Sequence, residues 1–174
     1  MKEVELKLIS ELMKDARRSD RDLARAIGVS QPTVSRVRAR LEKGGLVREY
    51  VMIPDFYRLG YEILAVTFVK LKGALTSEEI EKVREFTHER MKKTPYDVIM
   101  LEKGTGLGYD DIIISLHGNY SSYMAFRNFL RQYDFLENTM DNFLIDLTDK
   151  KQYMPLSLSV LARHLQSGRE KKEK

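Results

Sequence analysis

Gln31, Ser35, Arg36 and Arg40 stand at spacings that a helix brings to one side, and a core-filling helix has no need of that mixture on its outer face. Their chemistry is that of reaching edges with several donors and acceptors at once. A guanidinium fork meets two acceptors of guanine and a side-chain amide meets the donor and acceptor of adenine, so Arg36 is the expected reader of a guanine edge and Gln31 of an adenine edge. Thr33 and Ser35 suit either a base or a phosphate. Arg40 and Lys43, farther from the helix start, and Arg48 beyond its end are placed for phosphates, as are Ser19 at the start of the preceding helix and the nearby Arg21. The competing reading is an ordinary solvated face, on which Arg is common. It has to be weighed against the elements and the charge around these residues.

Other chemistry finds little support. The chain has no cysteine, which removes disulfides, thiolate metal sites and cysteine nucleophiles. His88, His117 and His164 stand far apart, none at helical spacing from another, so neither a metal nor any other cofactor is expected. Serines, histidines and aspartates occur without a nucleophile elbow, and no enzymatic activity is expected. Asp110 and Asp111 are adjacent, so on a strand they point to opposite faces. The glycines of GTGLGYDD precede a strand pattern, whereas a phosphate-cradling loop opens a helix, and a hairpin turn follows.

The elements that must position the first set can be read from periodicity. Leu6, Ile9 and Met13, with Leu8 and Leu12 beside them, give a helix over Glu3 to Asp15 a broad apolar face. Ser19 caps a second short helix that stops at Gly28, where a positive φ costs little. Ser30 can cap a third, Pro32 is tolerated in its first turn, and Gly44-Gly45 ends it. Val34, Val37 and Leu41 turn one side of that helix inward, which leaves the polar set outside. LVREYVMI then suits a strand, a wing or hinge ending at Pro54, and PDFYRLG a short connection.

From Tyr61 the pattern changes. EILAVTFVKLKG reads as a strand, TSEEIEKVREFTHERMKK as a helix, YDVIMLEKG and GYDDIIISLHG as two strands, SYMAFRNFLRQYDF as a helix and NFLIDLTD as a last strand. The order βαββαβ is that of a ferredoxin-like domain, four antiparallel strands with two helices on one face. Tyr123, Phe126, Phe129 and Tyr133 form a stripe for the core. MPLSLSVLARHLQ adds a terminal helix, and SGREKKEK a solvated tail. The predicted class is therefore α+β, a three-helix winged helix-turn-helix domain plus a C-terminal ferredoxin-like domain with an extra C-terminal helix.

Charge follows these divisions. Residues 1–54 hold 12 Lys and Arg against 8 Asp and Glu, residues 55–149 hold 11 against 16, and residues 150–174 hold 7 against 2. A basic head favours a polyanion, because counterion release needs a local patch and not a global excess. The N-terminal stretch has no signal-peptide core, and no run approaches the ~20 apolar residues of a membrane span. A cytoplasmic protein with no membrane partner is expected.

With these elements in order, the sequence resembles the leucine-responsive regulator family of bacteria and archaea, Lrp/AsnC. The resemblance rests on DARRSDRDLARAIGVSQPTVSRVRARLEKGGLV, on REYVMIPDFYRLGYEILAVTFVKL and on the βαββαβ order behind them, and spans roughly residues 3 to 148. It implies a regulator that binds double-stranded DNA as a homodimer, or as a tetramer or octamer, under the influence of a small-molecule effector. It also implies that Thr105, Gly106, Gly108, Tyr109 and Asp110 of the hairpin contribute to the effector site. There the sequence departs from the family pattern, since Leu107-Gly108 stands where an acidic residue is usual, which argues against a free amino acid. The expected division is 1–54 for DNA binding, 55–60 as connection, 61–149 for dimerisation and effector binding, and 150–174 as terminal helix and basic tail. Two rivals stay open at this level: a chromatin-type binder with little sequence preference, and a small-molecule enzyme or sensor with a helical interaction module.

Overall fold

The computed structural model describes residues 2–73, 76–91, 93–151 and 154–170, and the side chains of residues 77 and 166–170 fall outside that description. The expected tail beyond residue 170 lies outside the described residues. The chain divides into two compact units, Met1–Ile53 with Tyr153–Lys174, and Pro54–Gln152.

In the first unit, α1 (Glu3–Lys14), α2 (Asp20–Ile27) and α3 (Gln31–Lys43) close around Leu8, Leu12, Leu23, Ile27, Val34, Val37 and Leu41. Val34, Val37 and Leu41 are the inward positions expected from periodicity, whereas on α1 the core takes Leu8 and Leu12 and leaves the Leu6, Ile9 and Met13 line half-buried. Ser19 caps α2 by accepting the Asp22 N–H at 3.2 Å, and Gly28 ends it with φ +72°, a conformation a Cβ would oppose. Ser30 occupies the cap position of α3, but its hydroxyl does not cap; it lies 2.8 Å from Thr33 Oγ1 instead.

Two expectations need correction here. No strand forms over residues 46–53, where Tyr50, Val51, Met52 and Ile53 are exposed. Branched and aromatic residues favour a strand only where a neighbouring strand completes the ladder, and a single chain supplies none at this place. The terminal helix also starts later and runs farther than the apolar pattern suggested. It is α6 (Ser159–Glu170), begun after Pro155 and Ser157, whose hydroxyl accepts the Ser159 N–H. α6 packs on α1, where Ala162 is fully buried and its carbonyl accepts the hydroxyl of the equally buried Ser10 at 2.7 Å.

The second unit has the expected βαββαβ order: β1 (Ile63–Val69), α4 (Ser77–Met91), β2 (Asp97–Gly106), β3 (Tyr109–His117), α5 (Tyr120–Leu130) and β4 (Asp141–Asp146). Its sheet is ordered β2-β3-β1-β4 with each neighbouring pair antiparallel. One face carries Ala65, Thr67 and Val69 opposite Ser115 and Ile113, all buried on the helix side with Phe126 and Leu130 of α5. Alternation puts Leu64, Val66, Phe68, Ile112 and Ile114 on the other face, joined by Phe143 and Ile145 of β4 and Met100 of β2. Neither helix of the second unit covers that face among the described residues; Leu116 at one end of it is buried, while Phe143 is 65% exposed. α5 ends at Leu130, short of the expected Phe135, because the chain turns there to bring Tyr133, Phe135 and Leu136 back against the core.

Candidate nucleic-acid interface and effector hairpin

The outward face of α3 is the one the sequence predicted. Gln31, Pro32, Ser35, Arg36, Ala39, Arg40 and Lys43 are exposed, and Thr33 is half-buried at the first turn. The structure separates these side chains by what already holds them. Ser35 Oγ donates to Asp20 Oδ2 of α2 at 2.5 Å, and Arg38 pairs with the other oxygen of the same carboxylate at 2.6 Å. Arg40 reaches Glu5 of α1 at 2.5 Å. The Glu5 carboxyl lies below its ordinary pKa because it accepts the Lys2 backbone N–H and faces the Arg40 cation. Arg36, Lys43, Arg21 and Arg48, by contrast, are exposed and have no carboxylate partner among the described residues. Ser19 spends its hydroxyl on Asp22, whose pKa is lowered chiefly by that hydrogen bond.

Asp20 and Glu5 therefore fix side chains of this face, and the sequence reading missed both; Arg38 lies at its flank. Arg38 also lies over the Tyr50 ring at 5.8 Å, and Tyr50 donates its hydroxyl to Glu42 at 2.8 Å, so the segment after α3 is anchored back to α3. Nearby, Glu11 is almost buried and pairs with both Lys14 and Arg18. No periodicity within one helix relates Asp20 to Ser35. The only available signal is the tight α2–Gly28–α3 turn, which requires the start of α2 to lie along α3.

In the second unit, the proposed effector residues cluster at one turn. Gly106 pairs with Tyr109, and Leu107 (φ +54°) and Gly108 (φ +81°) form the two-residue loop between them. Both loop residues have the positive φ of a type I′ turn. Thr105, Gly106, Leu107 and Gly108 are exposed. Tyr109 donates its hydroxyl to Asp141 of β4 at 2.5 Å, and Asp110 accepts the Leu71 N–H at 2.9 Å. Two of the five are thus engaged within the chain, and the rest present backbone.

Residues 1–48 match the family described as winged helix-turn-helix DNA-binding. An uncharacterized HTH-type transcriptional regulator of Pyrococcus furiosus is 31% identical over 115 residues, 66% of this chain and 70% of that protein. The HTH-type transcriptional regulator LrpC of Bacillus subtilis is 33% identical over 72 residues, 41% of this chain and 50% of that one. Among solved structures, an AsnC family transcriptional regulator from Agrobacterium tumefaciens superposes with TM-score 0.71 at 17% identity, over 92% of this chain and 99% of that chain. A transcriptional regulator from Neisseria meningitidis, solved as its L-Met complex, does so with TM-score 0.72 at 17% identity, over the same shares of each chain. Helix-turn-helix head, ferredoxin-like body and these relatives agree, and the chain belongs to the Lrp/AsnC family of helix-turn-helix transcription regulators.

Proposed function

We propose that this regulator acts as a homodimer, or as a tetramer or octamer built from dimers, that reads an inverted repeat in double-stranded DNA with one α3 per half-site. The observation that carries the base-reading role is Arg36, exposed on the outward face of α3 while Ser35, Arg38 and Arg40 are each held by a carboxylate. Arg36 reads a guanine edge, Gln31 an adenine edge and Thr33 a base or phosphate. Arg21, Lys43, Arg48 and the α2 start at Ser19 meet phosphates, joined by Arg40 when it leaves Glu5. Ser35 serves first as a strut to Asp20. The uncovered apolar sheet face supports self-association, since such a face is costly in water and matches its own copy about a two-fold axis. Residues 1–54 then bind DNA and residues 61–149 pair. Among the described residues no helix is long and apolar enough to cross a membrane, in keeping with work on DNA in the cytoplasm. The relatives are transcription regulators, and we read this chain in the same way, not as a catalyst.

The hairpin at Thr105–Asp110 is the proposed effector site. The Neisseria protein's complex with L-Met supports an effector in this fold. Here the tip offers Leu107 and Gly108 in place of an acidic residue, so neutral amino acids such as leucine are expected to leave the melting temperature unchanged. A thermal shift series checks this.

The base-reading role is tested by Arg36→Ala, which should cost about 1–3 kcal/mol on a selected operator and relax one base position, while Arg48→Ala weakens all duplexes alike. If the ratio of operator to random binding is the same in the Arg36 variant and the parent, the chain is a binder without sequence preference, or another residue reads.

A further inference from the structure

The helix-covered side of the sheet is not filled. Between α4 and strands β1 to β3 lies a cavity of about 470 Å³, inside the range of about 300–1,000 Å³ usual for small-molecule sites. Val69, Leu101 and Ile113 form its floor, and Ile80 and Val83 of α4 its roof. Met91 at the end of α4 packs against the sheet core and Phe86 meets the Tyr133 and Phe135 rings edge-on, so α4 is held along that side while Ile80 and Val83 stand over the cavity.

The polar groups of this cavity are what give it a chemistry. Asp111 lies in register between Val69 and Lys103, and it lines the space together with both. It is half-buried, and among the described residues no hydrogen bond or ion pair closes on its carboxylate. Burial first, and the neighbouring charge of Asp110 second, push its carboxyl above the ordinary range, with Lys103 opposing them. Tyr133, also on the lining, has a hydroxyl out of contact with solvent and without a hydrogen-bond partner among the described residues. Three carboxylates line the cavity, Asp111, Glu81 and Glu102, against the two cations Arg84 and Lys103. A second anion brought in would meet an acidic surplus, and a neutral apolar guest would leave Asp111 unpaired in a drier place than before.

We propose that this cavity is a ligand site, separate from the hairpin turn, for a small apolar molecule carrying a primary ammonium group, with the ammonium donating to Asp111 and the apolar body lying between α4 and the sheet. An ammonium brings three donors and one positive charge, which answers an acceptor-only carboxylate. The apolar body supplies side-chain contacts to Ile80 and Val83, which face the cavity. Binding therefore also tightens α4 onto the sheet.

The test is calorimetric titration of the full chain at neutral pH with phenethylamine, and with phenethyl alcohol and 3-phenylpropionate as its neutral and anionic counterparts. The expected result is amine binding at least about tenfold tighter than alcohol, the scale of a hydrogen bond to a charged group, and no binding of the acid. Asp111→Asn should bring the amine down to the alcohol's level. Thr87→Phe, which fills the cavity from α4, should abolish both, with circular dichroism reporting that the helices persist. Methyl resonances of Ile80 and Ile113 should shift on addition of amine to the unsubstituted chain, which keeps the test independent of either variant's folding. Equal binding of amine and alcohol, an amine preference that survives Asp111→Asn, or methyl resonances that stay in place at millimolar amine would each overturn the proposal.

Discussion

The hydroxyl of Ser10 donates at 2.7 Å to the carbonyl of Ala162, joining the first helix of the chain to the last, and both residues are fully buried. Two small side chains let the helices approach closely, and the hydroxyl finds its partner in the backbone so that no polar group is left alone. The chain thus leaves the first unit at residue 53 and returns to it for α6. Ser10→Ala should lower stability by about 0.5–1.5 kcal/mol through loss of the hydrogen bond. Ser10→Leu should cost about 1–3 kcal/mol more because three carbons must fit where one oxygen stood in a closed contact. Chemical denaturation followed at a probe in the first unit checks both, and a Leu variant as stable as the parent would mean that α6 does not rest on α1 in solution.

This contact also marks where the sequence stops being legible. Leu8, Leu12, Val34, Val37 and Leu41 announce themselves by spacing, because helical period and burial are the same fact seen twice. The alternation of β1 and β3 is legible for the same reason. Ser10, between Ile9 and Glu11, reads as a surface residue, since nothing local says that a helix 152 positions away will cover it. Asp20 is equally silent, a first-turn acid by its own helix and a clamp on Ser35 and Arg38 only once α2 and α3 have met. Residues 46–53 fail in the opposite sense. Their strand propensity is plain, but propensity needs a neighbouring strand to act on.

Leu107 holds φ at +54° and is 83% exposed at the tip of the β2–β3 hairpin. A residue with a Cβ is disfavoured there by about 1–2 kcal/mol, and Asn, which bonds its own backbone in this conformation, is not. Leu107→Asn should therefore raise stability of the second unit by about 0.5–1 kcal/mol, read from the denaturation midpoint. No gain would indicate that the leucine is held by a contact made in the assembled protein.

His117 is buried beside Tyr123 and Phe126, with Nε2 2.8 Å from Ser115 Oγ. Burial depresses its pKa below the ordinary 6.5, and Asp97 opposes only in part. The folded chain thus binds this proton less readily than the unfolded chain does. Stability linked to His117 is complete above the unfolded value and is lost as pH falls from there toward the folded value. Melting temperature should drop as pH is lowered from neutrality through the ordinary imidazole range, and His117→Gln should flatten that slope even if it lowers the plateau. Parallel slopes for parent and variant would assign the pH dependence to carboxylates elsewhere.

Phe143 faces Val66 across β4 and β1, and with Ile145, Met100, Phe68 and Ile114 it forms the uncovered side of the sheet. If two copies close on this face, Phe143→Glu places a carboxylate where neither copy offers a cation at the same register, because the opposing positions are apolar. Self-association should weaken by at least about a hundredfold, the scale of burying one unpaired charge. Sedimentation at micromolar concentration should show a dimer or larger assembly for the parent and a monomer for the variant, with the circular dichroism of the two alike. The consequence for DNA follows from geometry. A monomer presents one α3, so the gain from two linked half-sites disappears, and operator affinity should fall by about 10²–10⁴-fold while contact with a single half-site is retained. A parent that sediments as a monomer would remove the paired-helix mechanism, whereas a variant that stays dimeric would place the pairing on another surface and leave the apolar sheet face to a different partner.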